Sequence, residues 1–143
     1  MRVAVLSDIH ANIDAFQAVV GDFEHRIDRI LNLGDLVGYN ASPNECVELG
    51  RDIEMHSILG NHDQAACYPA FAENFNIFAR NAILWTRSTL SLENIKFLGD
   101  LEKNYRLSYS LACHGSPDDI SSYIALPFQA TSKRRSKSFI FHF

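Results

Sequence analysis

Three short apolar runs, separated by segments of helical period, decide most of what this chain can fold into. They are RVAVLS at 2–7, DRILNL at 28–33 and EMHSIL at 54–59. Their lengths suit buried strands, and the second and third are stopped by Gly34 and Gly60. Between the first two, Ile13, Phe16, Val19, Val20 and Phe23 fall on one helix face. Asn12 is placed to cap that helix, and Asp14 suits the dipole of its first turn. Between the second and third, Ser42-Pro43-Asn44-Glu45 spells a capping box with proline at the first helical position. The alternation β-α-β-α-β predicts a parallel sheet covered by helices.

Downstream the pattern changes. Residues 70–90 read as one long helix with Phe71, Phe75, Phe78, Ile83 and Trp85 as core positions. Ser91 caps a further helix over 92–99, and 104–113 reads as two short strands broken near Ser108. After about residue 116 the rhythm stops. The expected domain runs over 1–130, followed by a basic, irregular tail at 131–143 that could end in a strand at Phe139–Phe143. The length of 143 residues suits one domain.

Composition excludes several classes. Hydrophobic residues make up 47% and charged residues 21%, the balance of a globular chain. No run approaches the roughly 18–20 apolar residues that cross a bilayer. The start, MRVAVLSDIH, turns polar too soon for a secretory signal. Cys46, Cys67 and Cys113 form no CxxC pair, so a disulfide framework is not expected and a cytoplasmic setting is. All 17 acidic residues lie within 1–130, while Lys133, Arg134, Arg135 and Lys137 are gathered in the tail. An acidic body opposes broad binding to nucleic acid and suits the collection of cations. The basic run itself reads as a solvated tail.

Four polar clusters directly follow predicted strands: Asp8-Ile9-His10, Gly34-Asp35, Gly60-Asn61-His62-Asp63 and His114-Gly115. In an open α/β sheet the ligand crevice lies beyond the carboxyl ends of the strands. Residues 8, 10, 35, 61 and 114 are therefore expected to converge. Asp, His and Asn donors suit Mn²⁺, Fe²⁺ or Zn²⁺ rather than a soft sulfur-loving ion. Each residue also has an ordinary use. Asp8 and Asp35 could form turns, and Asp63 reads as a local acceptor of backbone N–H groups. His25 and His56 follow no glycine turn and read as surface or structural, as does His142 in its apolar run. Cys113 adjoins His114 but is expected to face the core, opposite to its neighbour on the strand.

The four clusters, in this order and each after a strand, resemble the calcineurin-like metallophosphoesterase superfamily. GDLVGYN, SPNE and HGSP are similar to its small prokaryotic phosphoesterases. The resemblance spans residues 1 to about 118. It implies a two-sheet β-sandwich flanked by helices, in four α/β/β/α layers. It implies two divalent cations, Mn²⁺ foremost with Fe²⁺, Zn²⁺ or Ni²⁺ as alternatives. Asp8 and His10 would bind the first, Asp35 would bridge both, and Asn61 and His114 would bind the second. His62 would act at the leaving-group oxygen. The implied reaction is hydrolysis of a small phosphorylated substrate, a phosphomonoester or phosphodiester, by metal-bound hydroxide.

Two departures from the family pattern stand out. The family ordinarily adds a Gly-His-x-His motif after the His-Gly cluster, and this sequence has none. Three protein ligands per metal would remain, and the second sheet is expected to be incomplete at its C-terminal side. The tail reads as a truncated or altered end. This motivates an alternative: a catalytically impaired protein of the same fold that serves as a metal-binding scaffold. The second departure lies at Gly38-Tyr39, where the phosphoprotein phosphatases of the superfamily carry Asp-Arg. A bidentate Arg clamp on phosphate is absent there, which lowers the rank of protein phosphatase activity. The sequence leaves the oligomeric state open.

Overall fold

The computed structural model describes residues 1–23, 26–107, 110–122 and 139–141, the last by backbone alone. The basic run at 133–137, His25 and His142 lie outside the described residues. Strand β1 (Val3–Leu6), helix α1 (Ile13–Phe23), strand β2 (Arg29–Asn32), helix α2 (Pro43–Asp52) and strand β3 (His56–Ser57) follow the expected alternation. All three strands are parallel, in the order β1-β2-β3, with Leu6 opposite Asn32 and Asn32 opposite Ser57. Their carboxyl ends, and the loops that follow them, therefore share one edge of the sheet.

Strand β3 is shorter than the apolar run that encodes it. Glu54 takes a left-handed conformation, φ 52°. The Met55 amide turns back to the Gly50 carbonyl at the end of α2, and the Leu59 amide bonds Glu102 instead of β2. The ends of the run are thus engaged by other partners, and two residues are left in regular pairing.

Helices α3 (Asn61–Cys67), α4 (Ile77–Thr89) and α5 (Leu92–Gly99) come next, with a 3₁₀ turn over Pro69–Asn74 between α3 and α4. The single helix expected over 70–90 is therefore two pieces. Asn76 breaks it: its side-chain oxygen accepts the Phe78 and Ala79 amides and starts α4 afresh. The break resets the helical phase, and the predicted core positions scatter. Ile83 is fully buried, whereas Phe71, Phe78 and Trp85 are 51%, 81% and 45% exposed. Asn12 and Ser91 cap their helices as expected, accepting the Ala15 and Asn94 amides. At the other end of α3, Arg87 Nη1 donates to the carbonyls of Ala66 and Cys67, which have no partner within the helix.

Strands β4 (Asn104–Leu107) and β5 (Ser110–Cys113) are antiparallel, and β6 (Phe139–Phe141) runs parallel to β5. The second sheet thus has the order β4-β5-β6. One core forms between the sheets, where Leu31, Leu33, Ile58 and Ala112 are packed by Val3, Val5, Tyr105 and Leu107. The other forms between the first sheet and the helices, from Phe16, Val47, Leu98 and their neighbours with Leu6 and Ile30. This is the sandwich of sheets and helices that the sequence implies. Burial pushes the thiols of Cys46, Cys67 and Cys113 up to about 12, 11 and 11, so all three are inert free cysteines.

The capping box at Ser42 is formed in sequence only. Ser42 occupies the N-cap of α2 but accepts no amide through its side chain. Its neighbour Asn44 does more. Asn44 donates to the Thr89 carbonyl and accepts from the Ser91 amide and the Asn94 side chain, each at 2.9 Å, tying α2 to the α4–α5 corner. Asn44→Ala is therefore expected to lower unfolding stability by about 2–3 kcal/mol, and Ser42→Ala by less than about 0.5 kcal/mol. Urea titration of both variants checks the ranking.

Candidate metal centre

The loops after β1 and β2 are laced together through their backbones. The Asp8 amide donates to Gly34, His10 to Asp35 and Ala11 to Leu36, at 3.1, 2.9 and 2.9 Å. Holding them so requires unusual conformations. Asp8, His10, Ala11, Asp35 and Tyr39 all have φ between 48° and 61°, a region L-residues seldom occupy. The loop after β3 then approaches at backbone distance. A Cβ on Gly60 would lie 2.1 Å from the Asp35 amide nitrogen, and one on Gly34 would lie 2.7 Å from Gly60 Cα. Asp63 fastens this contact. It is fully buried and accepts the Gly60 and Val37 amides at 3.0 Å each, as the local acceptor the sequence suggested.

All six residues singled out in the sequence meet in this crevice. Ligand atoms of Asp8, His10 and Asp35 lie within 4.8 Å of one another. His10 Nε2 is 3.7 Å from both Asp8 Oδ1 and Asp35 Oδ2. His114 Nε2 is 3.5 Å from the same Asp35 oxygen and 2.8 Å from Asn61 Oδ1. The His62 ring lies 4.8 Å from that of His10. Asp35 is buried between the two imidazoles, while the Asp8 carboxylate is 45% exposed at the mouth.

The donor chemistry fits divalent cations. His10 Nδ1 lies 3.2 Å from the Val37 carbonyl and His114 Nδ1 lies 2.8 Å from the Leu33 carbonyl. A carbonyl only accepts, so each Nδ1 carries a proton, and in the neutral imidazole Nε2 is the nitrogen left to bind a metal. Both Nε2 atoms face Asp35, and that of His114 faces the Asn61 amide as well. Imidazole nitrogens, carboxylates and an amide converging in this way make a donor set that suits a divalent cation. The backbone carbonyls act as the outer supports that orient metal-binding histidines. Burial, reinforced by the carboxylates of Asp63 and Asp8, pushes the Asp35 carboxyl well above its usual range, against the opposing His62 amide. A cation would relieve that penalty.

Two participants were not recognised as such in the sequence. Tyr39 and Phe75 place their rings 4.7 and 4.8 Å from that of His62. Tyr39 stands where an Arg would have been informative, and Phe75 packs on the core of Ala65, Ala72 and Ile83 as its sequence position suggested while also meeting His62. His62 Nδ1 is buried beside Gly38 with no hydrogen-bond partner among the described residues. Burial, with His10 and His114 adding, holds its imidazole down at about 4. A larger recess of about 630 Å³ lies at the opposite end of the sheet, against Val3, Arg29, His56 and Tyr105, and contains none of these residues.

The profile of calcineurin-like phosphoesterases matches residues 1–138. The chain belongs to that family. Its members are in general hydrolytic phosphoesterases that bind divalent metals. An uncharacterised protein of Methanocaldococcus jannaschii is 43% identical over 120 residues, covering 80% of this chain and 49% of its own length. The crystal structure of a metallophosphoesterase from Sphaerobacter thermophilus is 40% identical, with a TM-score of 0.74 over 87% of this chain and 51% of that one. A hypothetical protein from Pyrococcus horikoshii, 21% identical, shares the fold with a TM-score of 0.80 over 90% of this chain and 61% of its own. The chain thus spans about half the length of the curated relative it matches.

The contact at Gly60 yields a prediction. Gly60→Ala is expected to destabilise the protein by about 3 kcal/mol or more, since backbone must move. Gly21→Ala in α1, where nothing lies within 4 Å of the new Cβ, is expected to stabilise by about 0.5–1 kcal/mol. Thermal melts of both check it. His62 yields another. Between pH 6.5 and 4 the unfolded chain takes up a proton at this site and the native metal-free protein does not, so stability falls on acidification. From pH 7 to 5 the loss is about 2 kcal/mol, and His62→Gln is expected to remove it from the urea-midpoint profile.

Proposed function

We propose that the chain is a metal-dependent hydrolase of small phosphate esters with a dinuclear centre. The observation that carries this is the pair of histidines whose Nε2 atoms converge on one buried carboxylate while their Nδ1 atoms face backbone carbonyls. Asp8, His10 and Asp35 would hold one divalent cation, and Asp35, Asn61 and His114 the other, with Mn²⁺ as the first candidate. When bound, the cations supply Lewis acidity and bring the pKa of water towards neutrality.

The protein's own groups do the rest. Asp35 sets the spacing of the two positions because one carboxylate serves both. The backbone carbonyls of Val37 and Leu33 hold the two imidazoles in the required tautomer. His62, wedged among His10, Tyr39 and Phe75, would stabilise the departing oxygen through a hydrogen bond from its neutral ring. The substrate is a small phosphorylated molecule, as no Arg fork for a phosphoprotein stands at Gly38-Tyr39. No helix among the described residues is long and apolar enough to cross a membrane. The three buried free thiols accord with the cytoplasmic setting we assign.

With excess Mn²⁺, the protein is expected to hydrolyse p-nitrophenyl phosphate or its bis-ester. Asp35→Asn is expected to abolish both turnover and binding of the second equivalent of metal. Asp8→Asn, at the exposed mouth, is expected to abolish turnover. Full activity of either variant would refute the assignment. Tight binding of metal without turnover by the native sequence would return the scaffold reading instead.

A further inference from the structure

A recess of about 430 Å³ opens directly beside the metal centre, with Asn61 and His62 at its inner end. Tyr39, Phe71 and Phe75 line it with rings, and Gln64, Asn74 and Asn76 line it with amides. Among the described residues it has no Asp, Glu, Lys or Arg. Tyr39 and Phe71 each leave 51% of their surface exposed, although both are large and apolar. The local structure explains how the rings come to be there. The 3₁₀ turn over Pro69–Asn74 leaves Phe71 half-exposed at the recess, while Phe75 packs on the core of Ala65, Ala72 and Ile83 and meets the His62 ring.

We infer that this recess seats a nucleobase, so that the preferred esters are nucleotides whose base lies among Tyr39, Phe71 and Phe75. The inference rests on the phosphoester reading above. Three rings at the wall offer stacking faces, which suit a flat heteroaromatic group. Amides carry both donors and acceptors, as the edges of bases do. Among the described lining residues no charged side chain offers an ion pair to an ammonium or a second carboxylate, and a flat base covers the rings more fully than a bare sugar. The position next to His62 places the base on the side where the leaving alcohol emerges.

The test compares adenosine 5′-monophosphate with ribose 5-phosphate, which share the same leaving oxygen and differ only in the base. Stacking on aromatic rings predicts a preference in kcat/KM of at least about ten-fold for the nucleotide with the Mn²⁺-loaded chain. Phe71→Ala, at a half-exposed position, is expected to narrow that ratio at least about five-fold. Phe78→Ala on the outer face of α4, which is 81% exposed and outside the recess, is expected to leave it alone. Equal kcat/KM for the two esters overturns the inference and leaves the hydrolase reading standing. A second readout needs no turnover: saturation-transfer NMR of the nucleotide with the metal-free chain. Saturation of the base protons that weakens in Phe71→Ala upholds the recess as a base site. No saturation of those protons overturns it. Turnover of no ester at all overturns the hydrolase reading, and the NMR result then decides the recess by itself.

Discussion

Asp35 is the constraint on which the rest of this structure depends. It is a buried carboxylate flanked by the Nε2 atoms of two imidazoles. Left alone, a charge there is unfavourable, because burial and the neighbouring carboxylates of Asp63 and Asp8 oppose it. The surrounding chain nevertheless enforces the arrangement. Backbone bonds join the loop of Asp8 to that of Asp35, and the Asp63 carboxylate clamps the loop of Gly60 onto that of Asp35. Five residues in left-handed conformations are held in two adjacent loops. Strain and unmatched charge gathered at one point, while the cores around it are well packed, are what a site built to receive cations is expected to show.

The fold supplies this at low contact distance along the chain. Two βα units bring Asp8 and Asp35 to the same edge of a parallel sheet, and β3 adds Asn61 and His62 one strand further along. His114 arrives from the second sheet and is fixed by the Leu33 carbonyl across the sandwich. The packing of Leu31, Leu33 and Ile58 against Ala112 therefore sets the geometry of the metal centre as well as the stability of the domain.

Much of this was legible in the sequence because it depends on local rules. Strand length, helical period and glycine stops located β1, β2, α1 and α2, and polar residues after strands located the crevice. What escaped was decided by competition between segments. Ser42 has the letters of a cap but points elsewhere, while Asn44, two positions on, bridges three groups from another helix corner. Phe71, Phe78 and Trp85 read as core because one side-chain cap, that of Asn76, was enough to end a helix that the apolar pattern continued. The tautomers of His10 and His114 depend on carbonyls 27 and 81 residues away, which no sequence window contains.

The account stands or falls on cations meeting at one carboxylate. Crystals of the protein soaked in Mn²⁺ and measured at the manganese absorption edge test this most directly. Two anomalous peaks are predicted, one between Asp8, His10 and Asp35 and the other between Asp35, Asn61 and His114. An anomalous map with no peak beside Asp35, at a Mn²⁺ concentration that saturates binding in solution, would contradict it.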